Sequence, residues 1–175
     1  QYQEVILGVY NETLPNKTIV LGCDISVTLD LVMEKPCDIS LDLNGYTYTN
    51  NHRPVKNGDF DLRHKDAIIR IKNGNMVCNF CVFIFQTSSS AGPENTNQGQ
   101  VYLENVNISS KEEVIYAYGG YGGVLNFKNC NLDVTDGNYS INGGGKCNKT
   151  GILYQIDGGT YDGLNFHCAR DGSYV

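Results

Sequence analysis

Leu43-Asn-Gly-Tyr-Thr-Tyr48, Ile71-Lys-Asn-Gly-Asn-Met76, Leu103-Glu-Asn-Val-Asn-Ile108, Phe127-Lys-Asn-Cys-Asn-Leu132 and Ile156-Asp-Gly-Gly-Thr-Tyr161 are five versions of one phrase. Each has an apolar or aromatic residue at positions one and six and Asn or Gly at position three. Their first residues lie 28, 32, 24 and 29 positions apart. Recurrence at that period marks a stacked-repeat architecture, in which each repeat buries its apolar face against its neighbours.

Around each phrase the period is two, the strand period. Leu41, Ile69, Val101, Leu125 and Tyr154 stand two residues before the first position and are expected to point inward. Asp42, Arg70, Tyr102, Asn126 and Gln155 lie between and are expected to point outward. The third position is occupied by Gly45, Asn73, Asn105, Asn129 and Gly158. These residue types tolerate a left-handed backbone, so this column is read as the place where each repeat turns. The fifth position is wholly polar (Thr47, Asn75, Asn107, Asn131, Thr160). The start of the chain is less regular. Thr18-Ile-Val-Leu-Gly22 can be laid 22 residues before Leu41 and Leu43, but Ile25 then falls one place out of register. Asp24–Leu31 reads as one further strand. Segments 50–66, 86–99 and 135–150 read as surface loops. No convincing helix is expected; Ser110–Ile115 is the only short candidate.

The phrase Asp38-Ile-Ser-Leu-Asp-Leu-Asn-Gly-Tyr-Thr47, together with Ile156–Tyr161, resembles the coils of right-handed parallel β-helix proteins of the pectate-lyase-like superfold. It is similar in particular to secreted bacterial surface proteins with LDLNG-x-T and I-x-GGT-[FY] coils. The resemblance covers roughly residues 18–165. It implies an all-β, single-stranded, right-handed parallel β-helix of about five to six coils with protruding loops. The Asn column is similar to the asparagine ladders at one corner of such helices, and Gly45 and Gly158 depart from it. The family includes polysaccharide lyases, phage tailspikes, adhesins and structural stalks, so the resemblance implies a fold more firmly than a function. The expected organisation is an N-terminal cap or strand-donating segment over 1–17, followed by a β-helix domain over 18–175.

The 175 residues carry 13 basic and 19 acidic side chains, a formal charge of −6, which argues against nucleic acid as a partner. No apolar run is long enough to span a bilayer. Position 1 is Gln, which suggests a processed or excised chain. Seven cysteines (Cys23, Cys37, Cys78, Cys81, Cys130, Cys147, Cys168) suit an oxidising compartment, with Cys23–Cys37 and Cys147–Cys168 as candidate disulfides. Asn-x-Ser/Thr sequons occur at Asn11, Asn16, Asn107, Asn138 and Asn148 and are candidate glycosylation sites. Together these features point to an extracellular or cell-surface setting.

A lyase would need clustered carboxylates and a basic residue beside a uronate. The acidic candidates Asp59, Asp61, Asp66, Glu112, Glu113, Asp133 and Asp136 are read as solvated loop charges, and His52-Arg53-Pro54 matches the Arg-Pro element of pectate lyases only in part. Cys78-Asn-Phe-Cys81 has no second pair or nearby His that would make a zinc site. No residue is assigned to catalysis, a cofactor or a metal. Tyr116, Tyr118 and Tyr121, in a glycine-rich stretch, are either a sugar-stacking or subunit-contact surface or simply packed against the neighbouring repeat. A stack has two ends that must be covered or used. Glu4–Tyr10 is expected either to cap the first repeat or to donate a strand to another molecule. The function expected is a non-catalytic, secreted structural subunit stacking head to tail into a fibre. The alternatives are a carbohydrate-binding or polysaccharide-cleaving module, or a segment of an adhesin stalk.

Overall fold

The structure, a computed structural model, describes residues 1–14, 17–51, 58–85, 99–117, 121–137, 139–142 and 150–165. Helix α1 (Tyr2–Tyr10) comes first. The chain then makes six passes over two parallel sheets, and each pass adds strands in the same order. The first pass holds β1 (Thr18–Val20), β2 (Ile25–Val27) and β3 (Leu31–Met33). The second holds β4 (Cys37–Asp42), β5 (Thr47–Asn50) and β6 (Phe60–Leu62). In later passes the first two strands merge into one long, bent strand. These passes are β7 (Ala67–Cys78) with β8 (Phe83–Phe85), β9 (Gln100–Ser110) with β10 (Ile115–Ala117), β11 (Tyr121–Val134) with β12 (Ile141–Asn142), and β13 (Thr150–Tyr161) with β14 (Leu164–Asn165).

The long sheet runs β1-β4-β7-β9-β11-β13, with β2 and β5 alongside the second half of β7. The short sheet runs β14-β12-β10-β8-β6-β3. Every pairing is parallel, so the class is all-β with stacked parallel strands.

The bend in each long strand falls on the third position of the repeated phrase. Asn73, Asn105 and Asn129 have φ of 60°, 54° and 51°, and Gly45 and Gly158 have 84° and 67°. A left-handed residue reverses the pleat locally and turns the strand, and Asn and Gly adopt it at least cost. The side of the bend facing neighbouring passes is stitched by amides. Asn105 Nδ2 donates to Asn73 Oδ1 at 3.4 Å, and Asn73 Nδ2 donates to Asp42 Oδ1 at 3.2 Å. Beyond the bend a second ladder runs through the fifth position. Asn107 donates to Asn75 at 3.0 Å, Asn131 donates to Asn107 at 2.6 Å, and the Thr160 hydroxyl donates to Asn131 at 2.7 Å.

The core is the space enclosed by the inward columns. Before the bend, Ile39, Ile69, Val101, Leu125 and Tyr154 form one column, and Ile19, Leu41, Ile71, Leu103, Phe127 and Ile156 form the next. After it, Ile25, Tyr48, Met76, Ile108, Leu132 and Tyr161 align. The short sheet contributes Leu31, Phe60, Phe83 and Ile115, of which the Phe60 and Phe83 rings stack at 5.5 Å.

Several expectations are corrected. The partner of Ile69 is Ile39 and that of Ile71 is Leu41, two residues earlier than the phrase alignment places them. The second pass has a longer corner, Leu43–Tyr46, closed by a Tyr46 N–H bond to Leu43 O at 2.8 Å. Asp42 accordingly aligns with Lys72, and Ser40 takes the place beside Arg70. The corner of the first pass is one residue shorter than that of the second, so Ile25 does meet Tyr48.

Asp24–Leu31 is not one strand: β2 ends at Val27 and β3 starts at Leu31. Loops expected over 50–66 and 135–150 contain β6 and β12. Ser110–Ile115 is no helix, since Ser110 ends β9 and Ile115 begins β10. The helix lies instead at Tyr2–Tyr10. Its Tyr2, Val5, Ile6 and Val9 follow the helical spacing and pack on the core, with Ile6 and Val9 buried. Glu4–Tyr10 therefore caps its own first pass rather than forming a strand.

Candidate functional site

The outer face of the long sheet before the bend carries three aligned columns. The middle one reads Thr18, Ser40, Arg70, Tyr102, Asn126 and Gln155. The Arg70 guanidinium lies 4.5 Å from the Tyr102 ring centroid and also pairs with Asp38 at 3.0 Å. Asn126 donates to Gln155 at 2.9 Å. A shallow groove runs along this face, lined among others by Ser40, Arg70, Tyr102 and Asn126. One face of the Tyr102 ring is thus covered by the guanidinium, and amide, hydroxyl and charged groups line the groove around it, a surface suited to a polar ligand.

The adjacent column reads Asp42, Lys72, Glu104, Lys128, Asp157, alternating in sign at every rung. Lys72 pairs with Asp42 at 3.3 Å and Lys128 with Glu104 at 3.3 Å. Burial raises the Asp42 pKa, but the Asn44 N–H, the Asn73 amide and Lys72 outweigh it and hold that carboxyl below its ordinary value.

The sequence candidates are scattered around this face. Asp59 and Asp61 are not solvated loop charges: they are 1% and 0% exposed. Asp61 is held by Arg63 at 2.7 Å, while Asp59 faces the interior. Glu112, Glu113 and Asp136 belong to the connections after the long strands, and Lys111 pairs with Asp136 at 3.5 Å, whereas Asp133 is not a loop charge but lies within β11 beside Ser109. His52-Arg53-Pro54 lies outside the described residues. Among the described residues no group of three or more His, Cys, Asp or Glu is arranged to hold a metal ion.

Cys23, Cys37, Cys78, Cys81 and Cys130 are free thiols, so the expected Cys23–Cys37 bridge is not formed. Cys78, Cys81 and Cys130 are buried, and the Cys81 thiol donates to Phe83 O at 3.4 Å, a structural use of the Cys-x-x-Cys spacing. Cys147 and Cys168 lie outside the described residues.

Of the sequons, Asn11 is exposed at the C-cap of α1. Asn107 is exposed too, but both ends of its amide are engaged in the ladder. Asn16, Asn138 and Asn148 are outside the described residues. Tyr116 is half-buried on the short sheet, aligned with Ile84 and Asn142, so it does not stand beside Tyr102. Tyr118 is outside the described residues, and the backbone of Tyr121 starts β11 beside Thr150.

Large apolar side chains that remain exposed are grouped at the ends of the stack. Leu7, Leu14 and Val20 lie at the helix end and Leu153 and Leu164 on the last pass, while Val77 and Tyr139 lie between. Sequence reasoning missed Leu7 and Leu14 because it assigned no helix. On a nine-residue helix whose buried face is Tyr2, Val5, Ile6 and Val9, Leu7 must face outward, and Leu14 folds back over Gly8. No helix among the described residues is long and apolar enough to cross a membrane.

No family model, curated protein or solved structure matches the chain.

Proposed function

We propose that the chain is a single-stranded, right-handed parallel β-helix with a non-catalytic structural role, a secreted subunit that stacks head to tail into an extracellular fibre. Right-handedness follows from the general preference of parallel crossover connections, about 98% of which take that hand. The observation that carries the stacking is the placement of exposed Leu7 and Leu14 at one end and of Leu164, last in the column of Ile115 and Ile141, at the other. Val20 and Leu153 are exposed beside them on the outer face of the first and last passes. Apolar surface at two opposite ends makes a heterologous contact, which does not close and so propagates. Because α1 covers the first pass, the contact at that end is made by the helix's outer face. Strand donation by Glu4–Tyr10 has no part in it. The sequons support an extracellular setting; the free thiols do not add to that support.

Light scattering and electron microscopy of the full chain at micromolar concentration test the reading. Assembly is expected to rise with concentration and to be lost in L7D/L14D and in L153K/L164K. Mixing the two variants yields heterodimers, because each keeps one intact end. A stable wild-type monomer at micromolar concentration overturns it.

A second reading rests on the groove: its polar lining of Ser40, Asn126 and the Arg70 guanidinium stacked on Tyr102 is suited to a carbohydrate chain laid across the rungs, which recur about every 4.8 Å. Neutral oligosaccharides titrated against the wild type and Tyr102→Ala test it. Binding weakened tenfold or more by the substitution supports it, and no binding to either protein removes it.

A further inference from the structure

Beneath α1 the interior holds a polar cluster that neither the stacking nor the groove uses. Asp59 is 1% exposed, and its main chain is fixed on both sides: its carbonyl accepts from Leu31 N at 2.9 Å, and its N–H donates to Cys81 O at 3.1 Å. The side chain cannot swing out to solvent without breaking the ladder. Neither carboxyl oxygen has a partner at hydrogen-bond geometry. Among the described residues, the groups acting on it are the Cys78 thiol and Asn50 amide, which favour its charged form, and the Asp30 carboxylate, which opposes it; none of these is a cation. The Asn50 amide is already engaged, donating to Leu29 O at 2.6 Å and to Tyr48 Oη at 3.3 Å.

From above, the helix sends Tyr2 into this cluster. Its ring meets Tyr48 edge-on at 5.5 Å, and its hydroxyl is buried without a hydrogen-bond partner. Asp59 acts unfavourably on the ionisation of Tyr2, Tyr48, Cys78 and Cys81, so these four are acids held neutral, and Asp30 adds a second carboxyl beside it. A buried carboxylate with no cation and no donor of good geometry is costly and stays protonated.

We propose that α1 is a releasable cap whose seat depends on a protonated Asp59: loss of that proton to a base in solution drives water into the cluster and lifts the helix from the end of the stack. The helix is the element that yields because it alone is held by side-chain packing, whereas the strands around Asp59 are held by ladders on both sides. Tyr10, whose hydroxyl accepts from Glu34 N at 2.9 Å, tethers its C-terminal end, so the N-terminal turn carrying Tyr2 moves first. Burial above all, then Asp30, pushes the Asp59 carboxyl up to about 8, against the Cys78 and Asn50 contacts, so the release falls in a mildly alkaline range. The inference is independent of head-to-tail stacking and holds for a monomer.

Hydrogen exchange of the full chain between pH 6 and pH 9, corrected for the intrinsic rate, tests it. Protection of the amides in 2–10 is expected to fall at least tenfold across that range while β9 and β11 keep theirs, and Asp59→Asn is expected to flatten the change. The chain contains no Trp, so Tyr2→Trp gives a single emission that should shift to the red over the same range even if Asp59→Asn does not fold. Protection of α1 that is independent of pH, loss in all strands together, an unchanged fall in Asp59→Asn, or a pH-insensitive Trp emission each overturns the proposal.

Discussion

A Cβ added at Gly159 would lie 1.9 Å from the Cys130 carbonyl oxygen, with φ at +92°. The pass below cannot move, because its own backbone is held in the ladder. Gly159→Ala is therefore expected to destabilise by about 3 kcal/mol or more in urea denaturation. Asn105, by contrast, occupies a left-handed bend that Asn tolerates. Asn105→Ala should cost about 1–2 kcal/mol, and Asn105→Gly should cost less because it keeps the backbone while losing the amide bond to Asn73. Asp59 and Asp42 oppose one another in the pH dependence of stability. The folded chain holds Asp59 protonated above its ordinary range, so the unfolded chain binds fewer protons and stability falls as pH rises from about 4 to about 8. The Asp42 carboxyl is held low, so its contribution is present above its unfolded pKa and is lost as pH falls through the folded one. A urea-denaturation series across pH should show the first decline in the wild type and not in Asp59→Asn. The bend residues were legible because Gly and Asn announce a left-handed backbone. The burial of Asp59 was not, since one acid in a segment rich in Asn, Gly and charge looks like any solvated loop charge.

The long strands were legible for the same reason that they are stable: ten or more residues of alternating pattern, repeated in four strands, leave one consistent set of inward columns. The short sheet was largely invisible, because strands of two or three residues such as β6 and β12 are too brief for alternation to emerge. Their placement is imposed by the long strands, which bring the chain back to the same side on every pass. Helix α1 was missed because Val5, Ile6, Leu7 and Val9 make a nearly continuous apolar run, in which a helix and a buried strand look alike. Its buried face decides the matter. Ile6→Ala should remove about 2 kcal/mol or more from the seat of the helix, seen as roughly thirtyfold faster exchange in 2–10 with little change in β9 and β11.

Stacking the passes into one body gives each long-sheet column before the bend five or six rungs, and the outer ion column shows what that does to electrostatics. Each exposed pair alone contributes little. In sequence along the stack, Asp42, Lys72, Glu104, Lys128 and Asp157 give each interior member opposite charges on both sides. Lys72→Glu puts three acids in line and is expected to destabilise by about 1 kcal/mol, more at low salt. Adding Asp42→Lys should recover part of the loss, measured as a double-mutant cycle. The alternation also gives the stack of parallel strands a parity. Inserting one pass between Lys72 and Glu104, or deleting the pass that carries either of them, would bring like charges onto neighbouring rungs or break the sign sequence, whereas two passes at a time would leave it intact. A chain of this kind is thus free to lengthen only in pairs, and the same arithmetic penalises a strand that pairs one pass out of place during folding, where the apolar columns alone would accept the error.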